Sequence, residues 1–64
     1  MRTYILLAEL SINVGDEYYR RVDNVFLEII KASSVSEAHS KHKWALGDEV
    51  GDGVIEELRL KEID

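Results

Sequence analysis

An alternation of apolar residues near the start of the chain limits what it can fold into. From Tyr4 every second residue is apolar (Tyr4, Leu6, Ala8, Leu10, Ile12 and Val14), while Glu9, Ser11 and Asn13 between them are polar. A period of two is the pleat of a β-strand, whose successive side chains point to opposite faces, so the run predicts a strand over 3–14 with one buried face. Ile5 and Leu7 add apolar residues to the second face. The start of the strand is therefore expected to be covered on both sides.

The next residues turn the chain. Asn13, Gly15 and Asp16 are turn formers: Gly accepts positive φ, and Asn and Asp bond their own backbone. A hairpin follows, with a second strand between Glu17 and Ala32 rich in Tyr, Val, Phe and Ile. Asp23-Asn24 inside that run marks a bulge or a break. A helix over 17–31 is the rival, because Val22, Val25, Phe26, Ile29 and Ile30 also fall at helical spacing. The strand is preferred, since the first strand otherwise lacks a hairpin partner.

Ser34-Val35-Ser36-Glu37 has the form of a capping box, in which Ser34 accepts from the Glu37 amide and Glu37 reaches back to Ser34. With Gly47 as the residue past its end, it predicts about three turns of helix, supported by Glu37 and Lys41 at i, i+4. Val35, Ala38, His42 and Ala45 share its apolar face, with Leu46 beside them. Gly47, Gly51 and Gly53, with Asp48 and Asp52, read as a flexible acidic loop. Residues 54–63 suit helix and strand alike; a strand is preferred, because two strands and one short helix bury too little. The expected fold is α+β: a three-stranded antiparallel sheet with one helix packed on one face, in the order β-β-α-β.

A chain of 64 residues makes one small domain, 1–64, with a thin core. It has no cysteine for a disulfide framework or a thiolate zinc site, and no proline. The longest apolar stretch, Ile5 to Ala8, is too short to span a bilayer, and Glu9 interrupts the only candidate signal segment. An intracellular, cytoplasmic home is expected. Pairing of edge strands into a homodimer would enlarge the thin core.

The formal net charge of −5 is unevenly placed. Residues 1–47 balance six acids with six bases, whereas residues 48–64 hold seven acids against Arg59 and Lys61. A negative field disfavours direct nucleic-acid binding and favours a basic partner. Asp48, Glu49, Asp52, Glu56, Glu57 and Glu62, followed by Asp64, come from a loop and the strand after it. Carboxylates spaced along one exposed edge imitate the phosphates of a DNA strand, so these residues are the first candidate partner-binding set. Tyr18-Tyr19-Arg20-Arg21 is the second, with Tyr18, Tyr19 and Arg21 as the contact residues, because Tyr and Arg are enriched at the centres of protein interfaces.

Chemistry is sparse elsewhere. His39 and His42 stand at i, i+3, but Lys41 and Lys43 beside them repel a cation and no third ligand has motif spacing. His42 reads as a half-buried packing residue with one nitrogen satisfied. The stretch Asp48–Arg59 fails the calcium-loop template at Val50 and Arg59. Ser33, Ser34, Ser36 and Ser40 have no nucleophile elbow around them. No catalytic residue, metal site or cofactor is expected.

In size, acidity, lack of cysteine and a β/α layout ending in Ile55-Glu56-Glu57-Leu58-Arg59-Leu60, the chain resembles small host-takeover proteins of lytic phages. It looks most like the acidic DNA-mimic inhibitors of Bacillus phages, among them inhibitors of the histone-like protein HU and of uracil-DNA glycosylase. Residues 25–47, a strand running through Ala32-Ser33-Ser34-Val35-Ser36-Glu37-Ala38 into a helix, are similar to the small DpnD/PcfM-like proteins of mobile elements. The first resemblance implies a non-enzymatic inhibitor in the host bacterial cytoplasm. It would occupy the basic groove of a host DNA-binding protein in place of DNA, with HU the first target and the glycosylase the second. The competing expectation is an interaction module that uses the Tyr18–Arg21 strand edge without DNA mimicry.

Overall fold

Strand β1 (Arg2–Gly15) is the axis of the structure, a computed structural model that describes residues 1–63. It pairs antiparallel with β2 (Tyr18–Ala32) on one side and β4 (Gly53–Glu62) on the other. A two-residue strand, β3 (Glu49–Val50), adds to the far side of β4, giving the order β2-β1-β4-β3. Helix α1 (Val35–Lys41) lies between β2 and β3 in sequence and packs on one face. The α+β class and the single helix agree with the sequence. The strand count does not: Glu49 and Val50 form a strand inside the stretch expected as loop. A two-residue turn at Gly51-Asp52, with Gly51 at φ 58°, folds them back onto Gly53 and Val54.

The period-two pattern holds from Tyr4 to Leu10; Ile12 is only partly buried and Val14, beyond the core, is exposed. Tyr4, Leu6, Ala8 and Leu10 are all buried on the helix side. Across the sheet Tyr4 faces Ile30, Leu6 faces Leu60, Ala8 faces Leu58 and Leu10 faces Ile55. Ala38 is the only buried residue of α1, and its small side chain lets the helix sit against Tyr4, Leu6, Ile30 and Ala32. Each fully buried aliphatic or aromatic side chain contributes roughly 1.5–3 kcal/mol, so this single layer is most of the core.

The helix has two turns, not three. Ser34 accepts from the Glu37 amide at 3.2 Å, as the capping motif requires. The returning contact differs: the Glu37 carboxylate accepts from the Ser33 hydroxyl and pairs with Lys41 at 3.1 Å. His42 is already extended, at φ −95° and ψ 156°. Trp44 supplies the reason. In a continued helix it would point about 120° away from Ala38; in the extended chain it packs against both halves of the core. Gly47, at φ 91°, therefore belongs to a tight turn, not a helix end. Asp48 N donates to Ala45 O at 3.1 Å, and Ala45 N donates to Asp48 Oδ2 at 2.9 Å. Val35 and Leu46, expected on the apolar helix face, are exposed.

The β1–β2 turn places both Asp16 (φ 42°) and Glu17 (φ 71°) in the left-handed region, the pattern of a type I′ loop. Asn13 Oδ1 accepts from Gly15 N at 2.8 Å. Asp23-Asn24 is a bulge, as its residues suggested: the register shifts between Ala8 and Leu10, and Asn24 has φ 56°. Further shifts leave Leu27 extra on β2 and Glu56 extra on β4.

One expectation fails on the opposite face. Ile5 and Leu7 look out from the helix-free side, and no described element covers them. Beside them Phe26 is 55% and Ile29 59% exposed. Fourteen residues of β1, at about 3.3 Å each, account for the 46 Å long axis of a body only 18 by 14 Å across. The surface area is 4624 Å², against about 4,200 Å² for a compact monomer of this mass.

Candidate functional site

Three surfaces carry the residues singled out from the sequence, and they meet on the helix-free face, where members of the first two join the third. The first is acidic. Glu49 lies on the edge strand β3, Asp52 in the β3–β4 turn and Glu56 in the β4 bulge; all three are exposed and lack an ion pair among the described residues. The other three expected members are differently engaged. Asp48 closes the turn onto the Ala45 amide. Glu57 lies 3.8 Å from Arg59, and Glu62 lies 3.9 Å from Arg2. Glu57, Arg59 and Lys61 stand opposite Glu9, Leu7 and Ile5 and so share the helix-free face. Two cations are thus interleaved with the carboxylates along β4. Asp64 lies outside the described residues.

The second surface is the end of the β1–β2 hairpin. Every residue from Asn13 to Arg21 is exposed, Tyr18 by 72% and Tyr19 by 67%. Tyr19 stands opposite Asn13, and Arg21 opposite Ser11. Arg21 Nε lies 3.4 Å from Glu9 Oε1 and so points to the helix-free face, with Tyr19 two residues away on the same side. Tyr18 takes the opposite face. The tetrad is therefore a two-sided arm on an edge strand, not one continuous patch.

The third is the helix-free face itself, where Ile5, Leu7, Phe26 and Ile29 meet at the centre of the sheet. Ile5 and Leu7 form the second apolar face that the sequence implies, but no described element covers it. Phe26 and Ile29 carried the missing signal, since they stand opposite Leu7 and Ile5 in a hairpin register that the bulges shift.

Two smaller features lie on the helix side and in the segment around α1. A cleft of about 490 Å³ is lined by Glu28, Lys41, Lys43, Trp44 and Asp48 on the helix side. Lys41 there is already held, donating to Lys31 O at 2.7 Å. Trp44, absent from the sequence-based candidate residues, is the chain's single tryptophan, which is itself a signal of packing weight. His39 and His42 have ring centroids 6.2 Å apart. His42 is half-buried as expected, but its Nδ1 is buried with no hydrogen bond among the described residues, contrary to the satisfied nitrogen expected. No group of three or more metal-ligating side chains converges among the described residues. No described helix is long and apolar enough to cross a membrane.

Comparison with protein-family models, with curated proteins and with solved structures gives no match.

Proposed function

We propose that the chain is a non-enzymatic protein-binding module whose contact element is the hairpin arm at Tyr18–Arg21. The observation that carries this reading is the exposure of two adjacent tyrosines on an edge strand that projects beyond the core. Tyrosine gives a large amphipathic contact at low entropic cost, and arginine adds planar hydrogen bonding. The free side of β2 also offers unpaired backbone groups over Tyr18–Val22, which suits addition of a partner strand. Binding of this kind is carried by apolar and backbone contacts and survives added salt.

A second reading is the DNA mimic, an inhibitor seated in the basic groove of a DNA-binding protein such as HU or uracil-DNA glycosylase. It is favoured by the three free carboxylates Glu49, Asp52 and Glu56 and by the net charge of −5. Arg59 and Lys61 on β4 weigh against it.

Affinity capture from bacterial lysate with a graded salt wash separates the two. The arm reading expects a partner that persists in salt, is lost with Tyr19→Ala, and is retained by a Glu49→Gln, Asp52→Asn, Glu56→Gln triple variant. A partner that elutes as salt rises, yields to competing duplex DNA and ignores Tyr19→Ala sinks the arm and supports the mimic.

A further inference from the structure

We infer that a second copy of this chain covers the helix-free face, joining two sheets face to face in a dimer. Three observations carry it. The first is apolar: Ile5, Leu7, Phe26 and Ile29 are contiguous on this side through the β2–β1 register, and the Ile63 N to Thr3 O hydrogen bond brings Ile63 to the edge of the same end of the sheet. Phe26, Ile29 and Ile63 are each more than half exposed, at 55%, 59% and 53%. Apolar residues massed on one sheet face, rather than scattered, mark an association surface.

The second is electrostatic. Residues opposite the outward positions of β1 place Lys31, Arg21, Arg59 and Lys61 on this face against Glu9, Glu57 and the Asp23 carboxylate that Arg59 holds. Four cations meet three carboxylates, and all three carboxylates are already in ion pairs within the chain. Among the described residues the net negative charge is therefore carried by the other surfaces. Two copies of a protein this acidic repel wherever the acids cluster; here they meet across a face that carries none of the net negative charge.

The third is size. Centred on Ile5 and Leu7, the overlap runs over Arg2–Leu10 at about 3.3 Å per residue, about 30 by 18 Å or roughly 530 Å² per copy, which just clears the roughly 1,000 Å² in total that a specific interface needs. Packed sheets align within about 30° and place their inner faces about 10 Å apart. A two-fold arrangement centred on Ile5 and Leu7 runs the two β1 strands antiparallel and leaves the arms at Tyr18–Arg21 projecting from opposite ends. The dimer then presents two copies of the proposed contact element. It rests on the sheet face alone and stands whether or not the arm reading does.

The test is molar mass by light scattering and sedimentation over a concentration series. The expected result is twice 7.3 kDa, with association unweakened by salt. Phe26→Lys and Ile29→Lys, each at an exposed position, should retain the far-UV spectrum and weaken the dimer at least about tenfold. Tyr19→Ala should leave it intact. Having two lysine variants keeps the test open if one misfolds. A protein that remains at 7.3 kDa up to millimolar concentration overturns the inference. So does a dimer that Tyr19→Ala dissociates and both lysine variants spare, since that dimer would pair through the β2 edge.

Discussion

Arg59 reaches across β1 to hold the bulge of β2: its Nη2 lies 2.7 Å from Asp23 Oδ1 and 2.9 Å from Asn24 Oδ1. The two residues are 36 apart in sequence and on strands that do not touch in the sheet. Asp23 also accepts from the Asn24 amide at 2.8 Å, so one carboxylate fixes both the local turn and the cross-sheet contact. The partners are about half exposed, which limits the ion pair to roughly 0.5–1 kcal/mol. Arg59→Ala should lower stability by about that amount in urea denaturation. Arg59→Lys should lose nearly as much, because the planar guanidinium meets Asp23 and Asn24 through Nη2 and Glu57 through Nε, a span that one ammonium does not cover. Amide exchange at Val22–Val25 should quicken in both variants, and unchanged exchange there would refute the clamp.

The loop at the hairpin tip holds a non-glycine residue in a glycine conformation. Glu17 has φ 71° and follows Asp16 at φ 42°. The left-handed region costs an L-residue roughly 1–2 kcal/mol, part of which glycine returns as chain entropy on unfolding. Glu17→Gly should therefore stabilise the protein by about 0.5–1 kcal/mol, and it supplies the Asp-Gly pair that type I′ loops favour. A fall in the denaturation midpoint would show that the carboxylate of Glu17 has a role the backbone does not explain.

These two features show what was legible. Asp23-Asn24 reads as a bulge or a break by residue type; the register makes it a bulge, in which Asn24 takes positive φ and Asp23 bonds the Asn24 amide. The strand β1, the hairpin, the Ser34 cap and the pairing of Glu37 with Lys41 followed from equally local rules. What failed was non-local. The length of α1 was decided by Trp44 turning back to the core, which no capping residue announces. β3 forms where the Gly51 turn lets Ile55 N donate to Asp48 O and Gly47 N donate to Ile55 O, each at 2.9 Å. The acidic set was divided by pleat and bulge: the extra residue at Glu56 sends Glu57 to the helix-free face with Arg59. Spacing along a chain does not reveal such a division until the register is known.

Tyr4 presents a different kind of test. Its ring is 2% exposed, and its hydroxyl is buried with no hydrogen bond among the described residues. Arg2 is near enough for Tyr4, and then Glu62, to raise the guanidinium above its ordinary value, yet guanidinium and phenol do not meet in hydrogen-bond geometry. An orphaned buried hydroxyl costs about 1–3 kcal/mol, and phenylalanine has the same ring without it. Tyr4→Phe should raise stability by about 1 kcal/mol. A loss of similar size would mean that the phenol and Arg2 bond in solution.

Glu37 sets the acid side of the stability profile near the helix. The Ser33 hydroxyl first, and Lys41 second, hold its carboxyl below the ordinary glutamate value. A carboxyl whose folded value is depressed binds protons more readily in the unfolded chain. Its contribution is therefore full above the unfolded value, about pH 4.3, and disappears as pH falls through the lower folded value. Glu37→Gln should flatten the loss of stability across that acid window while leaving the slope near neutral pH unchanged. Ser33→Ala, which removes the larger cause, should flatten it more than Lys41→Met does. Because the Glu37 side chain is 39% exposed and the ion pair with Lys41 is open to solvent, added salt should shrink the Lys41 effect before the Ser33 effect. Parallel acid profiles for the wild type and Ser33→Ala would show that the hydroxyl contact does not persist in solution.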